Sequence, residues 1–549
     1  MQSKWLALTN TSIAIFMAFA NYNMIIIALP AIFSGLNFNP ENPSAIAYLI
    51  WLILGYMVVT STLVVTFGRI SDTFGRARLY TLGFVIFTVA SALLASVTAT
   101  GNQGILELIA FRLLQGVGGG FLMVNSSAVL TDYFPRNELG RALGLNQIAG
   151  LIGGIVGLIL GGVLSTIDWR FIFLVNVPVG IVGSIWSYLT LKDVGTKNTA
   201  KIHVLDNALF GGFLTLLLIS VTYMLVPYGG SQFGFSNPIV IAGLPISLIL
   251  FGAFLYEERR IPNPMFNLSL FKSRLFSASV SSNMIASLVR QGITIMLILL
   301  LEGIWLPLHG YSFSSVPFWA GIFLIPNLIG YAIFGPLSGY LSDRFGTVKF
   351  EGIGMLATAI GLFMLYIMPY DFNYLYFASA IFIIGAGMGI FTSPNTADIM
   401  RAVNPQYRGV ASGMRAALGN TASTLSVSMY FIIIISGMAI ALPSSLARVG
   451  INFNLPAAVA LFSALLGYDP LTPFASKLPP SLAAEVSQPS FFANAIAPAF
   501  IQGFDEVILI SLIATILAGL ISVIGGRSGK LGINTKRIQR PQETSTKGS

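Results

Sequence analysis

Gly68-Arg-Ile-Ser-Asp72-Thr-Phe-Gly75-Arg76 lies between two long apolar runs, and Gly339-Tyr-Leu-Ser-Asp343-Arg344-Phe-Gly346-Thr lies between two others 271 residues later. Five of the nine positions are identical, and an Ile/Leu pair makes a sixth. A second echo has nearly the same offset. Pro135-Arg-Asn-Glu-Leu-Gly140-Arg141 is answered by Pro405-Gln-Tyr-Arg408-Gly409, with the glycines 269 residues apart. Two echoes at one spacing divide the chain into related halves, and an internal repeat of this kind sets the fold before any other reading.

The solvent for that fold is lipid. Of 549 residues, 55% are hydrophobic and only 9% charged, with a mean hydropathy of +0.82. A soluble domain carries roughly 25% charged residues. The apolar residues fall in runs of about 18–25, enough for a helix to cross a ~30 Å hydrocarbon layer. Alternating segments of about 10 residues, as a membrane barrel needs, are absent. The reading is an all-α polytopic membrane protein with fourteen spans, over 5–28, 45–67, 79–98, 105–130, 142–165, 171–191, 207–228, 236–256, 277–305, 317–341, 350–369, 374–397, 416–442 and 505–526. The repeat pairs spans 1–6 with spans 9–14. It predicts a six-helix bundle over 1–195, an inserted pair with its linkers over 196–275, a second bundle over 276–526 and a basic tail over 527–549.

A net charge of +9 suggests nucleic acid until its placement is considered. With the N-terminus inside, 24 of 29 Lys and Arg, among them Arg401, Arg408 and Arg415, fall in inner segments. This is the topology rule for a cell-membrane protein with both termini cytoplasmic, and it leaves no nucleic-acid partner. The first run, Trp5 to Ala28, is too long for a signal-peptide core and reads as a retained helix. Zero Cys, two solitary His (His203 and His309) and no HExxH or phosphate-binding loop leave no metal, cofactor or enzyme site. The 443–504 segment, rich in Pro and Ala with Phe462, Phe474, Phe491 and Phe492, reads as a loop with short interfacial helices or as a decoration without a role.

Within the spans, Arg112 stands two to three turns into the fourth, near Gln115. A charge at that depth faces a cavity or a partner, or bonds nearby carbonyls. Arg290, about 21 Å past Phe276 by helical rise, reads the same way beside Gln291. Gly153, Gly157 and Gly161 share one face of the fifth span and allow close approach of a neighbouring backbone. Gly162 adjoins them. Glu107, Glu302, Asp505 and Glu506 are read as interfacial, Glu302 because it lies about 39 Å past Phe276.

The Gly68, Asp72, Gly75, Arg76 stretch resembles the signature loop of the major facilitator superfamily, and the copy at Gly339, Asp343, Arg344, Gly346 strengthens the likeness. In that family the loop acts as a conformational latch. Ala77 departs from the pattern, where a second basic residue is common. Arg112-Leu-Leu-Gln115-Gly116-Val-Gly118 resembles its RxxQGxG segment. Gly153-Gly154-Ile-Val-Gly157-Leu158-Ile-Leu-Gly161-Gly162 resembles the antiporter signature GxxxGPxxGG, with Leu158 where that signature has Pro. Trp169-Arg170-Phe-Ile-Phe-Leu-Val-Asn176-Val-Pro178-Val-Gly180 and Asn21-Tyr-Asn23 through Ala28-Leu29-Pro30 are similar to segments of the fourteen-helix drug–proton antiporters.

The resemblance implies two six-helix bundles in alternating access, exporting hydrophobic or amphipathic small molecules against protons as a monomer in the bilayer. Arg112, Gln115, Asn21, Asn23, Arg290, Gln291 and Glu107 are the candidates for substrate or proton coupling. Asn21 and Asn23 replace an acid and a threonine, and an amide does not titrate. This favours an uptake carrier or uniporter for a neutral or anionic solute as the alternative. A non-transporting sensor or scaffold is the alternative of another class.

Overall fold

The computed structural model describes every residue except 1, 39–42, 194–203, 227, 230, 232, 262–263, 265, 313–314, 405–406, 449, 452–456, 458, 462–488 and 533–549. The helices are α1 (Gln2–Gly35), α2 (Pro43–Phe74), α3 (Arg76–Ala95), α4 (Gly101–Tyr133) and α5 (Arg136–Ile167). They continue with α6 (Phe171–Thr190), α7 (Val204–Met224), α8 (Pro238–Glu258), α9 (Arg274–Leu308) and α10 (Val316–Phe345). The last four are α11 (Thr347–Tyr366), α12 (Tyr374–Arg401), α13 (Arg408–Arg448) and α14 (Pro489–Gly532). Thirteen are long and apolar enough to cross a membrane, and α2, with its apolar stretch Ile50–Val64, is the further one. Among the described residues no strand forms beyond a single bridge, Tyr228 to Ser231.

The boundaries follow local chemistry. Asn237, before Pro238, and Asn373 cap α8 and α12 by accepting from the amides of Ile239 and Leu375 at 2.9 and 2.8 Å. The two signature loops turn on Gly75 (φ 111°) and Gly346 (φ 90°), a backbone region that L side chains rarely enter. These glycines mark one end of the molecule, here termed the latch end. The connections α5–α6 and α9–α10 mark the far end.

Packing repeats as the sequence does. In the first half α1 packs on α5, α2 and α3 on α4, and α3 on α6; in the second α9 packs on α13, α10 and α11 on α12, and α11 on α14. α7 pairs with α8 and lies against α2 and α13. The halves meet through α5 with α10, α2 with α13 and α1 with α10. One such contact is the Ser61–Thr424 hydroxyl pair at 3.2 Å.

Three expectations are corrected. The 443–504 segment is largely helical where described: α13 runs to Arg448 and α14 begins at Pro489, because the apolar residues around Phe491 and Phe500 extend the helix that buries Phe500 and Phe504. The positions between 462 and 488, and the tail beyond Gly532, lie outside the described residues. Asp505 therefore falls well inside α14 instead of at its start. Glu302 does not face the surface as a span-end acid would: α9 continues through a π-helical turn, Leu301–Trp305, to Leu308, and the side chain is 1% exposed within the protein.

Candidate functional site

The stripe of glycines comes first, because it positions α1. A Cβ on Gly153 would meet Phe16 Cα at 2.8 Å, one on Gly157 Ala20 Cα at 2.7 Å, and one on Gly161 Met24 Cα at 2.7 Å. The partners are spaced by four like the glycines, so α1 and α5 run with their backbones in contact. Gly162 turns the other way. Its Cβ would stand 2.5 Å from Phe318 Cα on α10, and a Cβ on Gly321 of α10 would stand 2.9 Å from the Leu158 carbonyl oxygen. Leu158 thus sits at the seam between the halves near the far end, 3% exposed.

Held by that seam, α1 aims Asn21 into a buried polar network. Arg112 Nη1 donates to Gln115 Oε1 at 2.5 Å, and Gln115 Nε2 donates to Ser91 Oγ at 2.8 Å and to Asn21 Oδ1 at 3.3 Å. Asn176 Nδ2 donates to the same Asn21 oxygen at 3.2 Å. Arg112, Gln115, Asn21 and Ser91 are each 0% exposed. The Arg112 guanidinium lies over the Tyr56 ring, 4.7 Å from its centroid, an arrangement that favours a cation. Its Nε is buried without a hydrogen-bond partner among the described residues. Four amide and hydroxyl groups orient one charge, and no carboxylate takes part.

Across the midline, Gln291 Nε2 on α9 donates to Tyr22 Oη on α1 at 2.8 Å, joining the halves. Tyr22 has both Arg112 and Arg290 within electrostatic range. Arg290 lines a cavity with Ile293, Leu297, Asn327, Tyr331 and Met388, between α9, α10 and α12. Arg415 has two of the lining residues, Tyr331 and Arg290, within electrostatic range, and its Nε is buried and unbonded among the described residues. The assignment of Arg415 to an inner loop is corrected here. α13 starts at Arg408, so Arg415 lies two turns inside the helix.

Two other candidates lie apart. Asn23 Nδ2 donates to the Gly154 carbonyl at 3.3 Å and serves the α1–α5 seam. Glu107 accepts from Gln103 at 3.1 Å on its own helix, outside the network. Ser91 and Asn176 complete the network although neither stood among the candidates. Asn176 had its motif as a signal, and Ser91 had none.

At the latch end, Arg76 pairs with Asp132 of α4 at 2.7 Å. Asp193 accepts from the Ala77 amide at 2.8 Å and faces Arg78 at 3.4 Å, so Arg78 supplies a charge that Ala77 does not. A Cβ on Gly75 would collide with that Asp193 carboxylate. In the second copy Asp343 pairs with Arg401 of α12 at 3.1 Å, while Arg344 lies over the Tyr340 ring at 4.8 Å. These ion pairs stay within their own halves. Gly68 and Gly339 meet only ordinary contacts, and the Asp72 side chain lies outside the described residues.

The comparisons with known proteins agree with this architecture. The Riboflavin transporter RibZ of Clostridioides difficile is 26% identical over 432 residues, covering 78% of this chain and 88% of the relative. Multidrug resistance protein 3 of Bacillus subtilis is 27% identical over 382 residues, covering 69% and 71%. Among solved structures, an auto-inhibited POT family peptide transporter superposes with a TM-score of 0.60 at 13% identity, covering 100% of this chain and 99% of the other. A bacterial homolog of the human lysosomal transporter Spinster gives 0.58 at 14%, covering 95% and 96%. The sequence model of the Major Facilitator Superfamily matches residues 11–427, and the chain belongs to that family of membrane transporters.

Proposed function

We propose that the protein is a proton-coupled exporter of amphipathic small molecules in the cell membrane, working as a monomer by alternating access. In this reading 1–195 and 276–526 rock as units, 196–275 rides outside them, and both termini and the basic 527–549 tail are cytoplasmic. The observation that carries it is the Tyr22–Gln291 hydrogen bond. It ties the halves beside the network of Arg112, Gln115 and Asn21, where a ligand at the midplane would sense both halves. Relatives named for multidrug resistance support export, as does the glycine-packed α5.

A second reading, a uniporter or uptake carrier, is favoured by Asn21, whose amide binds Gln115 and Asn176 and offers no proton site. Proteoliposomes loaded with cationic, neutral and anionic fluorescent compounds separate the two. Export predicts release driven by an imposed pH gradient and lost in Arg112→Ala. Counterflow that no gradient drives assigns the second reading.

A further inference from the structure

Arg112 and Arg290 lie within electrostatic range of Tyr22. Arg290 and Tyr331, which line one cavity, lie within range of Arg415, so three helices of both halves bring guanidinium groups toward the midline. Among the described residues none of the three makes an ion pair with a carboxylate. The buried acids are engaged or placed elsewhere. Glu351 accepts from Ser522, Asp398 lies 3.7 Å from Arg401, and Glu302 sits in the π turn of α9. Arg112 is fully buried and Arg415 half-buried, while Arg290 stays exposed where it lines the cavity. Taking a charge out of water is costly unless an opposite charge and hydrogen bonds compensate it. Arg290 and Arg415 also repel each other. Tyr56 and Gln115 offset part of the burial cost at Arg112, and two buried Nε donors stay unsatisfied, on Arg112 and Arg415.

From this convergence we infer that the central site takes an organic anion, a carboxylate, phosphate or sulfonate carried on an apolar body. The acid group bridges the arginines, and the body lies along Ile293, Leu297, Leu328 and Met388. Two oxygens of such an anion match the fork of a guanidinium, and a cationic drug would add further positive charge to the same space. The inference rests on the transport reading and supplies its substrate class. Arg415 is its new element.

The test titrates the full chain in detergent with three probes on one naphthalene body: 2-naphthoate, 2-naphthamide and 2-naphthylmethylammonium. Calorimetric affinities are expected to favour the acid over the amide by at least about tenfold, the ordinary gain from charged hydrogen bonds. The ammonium binds weakest. Arg415→Gln and Arg290→Gln each remove the preference for the acid, and Arg415→Lys keeps most of it. Melting of each unliganded variant reports its fold, and if the glutamine variants unfold, the order of the three probes on the unaltered chain decides. An amide or ammonium that binds as tightly as the acid, or an acid with no saturable binding, overturns the inference. Gradient-driven release of the amide with no preference for the acid leaves export standing and removes this inference. Arginine-dependent binding of the acid with no driven movement of any probe does the reverse.

Discussion

Replacing Gly157 by alanine sets a Cβ 2.7 Å from Ala20 Cα and 2.9 Å from its carbonyl carbon. Carbon atoms rest about 3.5–4.0 Å apart, so α1 and α5 must separate by about 1 Å along this seam. Overpacking costs about 1–3 kcal/mol, and the upper end applies because the obstacle is backbone and has no rotamer to change. Alanine returns about 1 kcal/mol in helix propensity, leaving a net loss of about 2 kcal/mol. Thermal unfolding in detergent should then fall by about 4–8 °C, taking each half as a cooperative unit of roughly 200 residues. Gly144 is the control. It lies on the same helix with nothing within 4 Å of its Cβ, so Gly144→Ala keeps the propensity gain and should melt slightly above the parent. A Gly157→Ala protein that melts as high as Gly144→Ala would refute the close seam. So would a normal midpoint in Gly161→Ala, where Met24 Cα stands at the same 2.7 Å.

Other expectations concern the joint between the halves and its latch end. Ser165, buried on α5 one turn past Gly162, gives a single label site in a chain without Cys. In Ser165→Cys, adding Gly162→Leu should raise the maleimide labelling rate at least about tenfold, the effect of about 1.4 kcal/mol on an opening equilibrium; an unchanged rate removes the Gly162–Phe318 contact as a closing element. Tyr22→Phe and Gln291→Leu should show a coupling of about 1 kcal/mol in a double-mutant cycle of unfolding, and strict additivity would deny their hydrogen bond. Ser522→Ala leaves the buried Glu351 without its hydroxyl partner and should cost about 1–3 kcal/mol in denaturant unfolding. Asp343→Ala breaks a solvent-exposed pair with Arg401 and should cost no more than about 1 kcal/mol. A reversal of that order contradicts the burial assigned to these acids.

The parts of the structure written in local spacing were legible from the chain. Glycines at 153, 157 and 161 must share a helix face whatever lies opposite, and the structure supplies Phe16, Ala20 and Met24 there. The repeat around Asp72 and Asp343 gave the paired halves before any helix was placed. Nonlocal pairing was hidden. Arg415, ten residues from Pro405 and seven from Arg408, has the sequence surroundings of a membrane-edge charge. Only the start of α13 at Arg408 carries it inward. Ser91 is the single serine of α3, set in an apolar run, and its role is set by Gln115 two dozen residues away. Glu302 was placed by counting rise along an ideal helix, which takes no account of the π turn or of the packing that buries it. The start of α14 was hidden in a segment whose prolines suggested a loop.

A guanidinium keeps its charge across the physiological pH range. The cluster of Arg112, Arg290 and Arg415 therefore gives a pH gradient nothing to act on, and any coupled proton must travel on other groups. Membrane voltage does act on it. Each elementary charge that crosses the field exchanges about 2.3 kcal/mol per 100 mV, and rocking halves shift the field around fixed charges as surely as moving them. In the site inferred above, the empty state presents unbalanced positive charge to that field, and a bound anion would cancel part of it. In the proposed anion-carrying cycle the step that returns the empty carrier is therefore the voltage-sensitive one, and membrane polarity sets how fast that cycle resets.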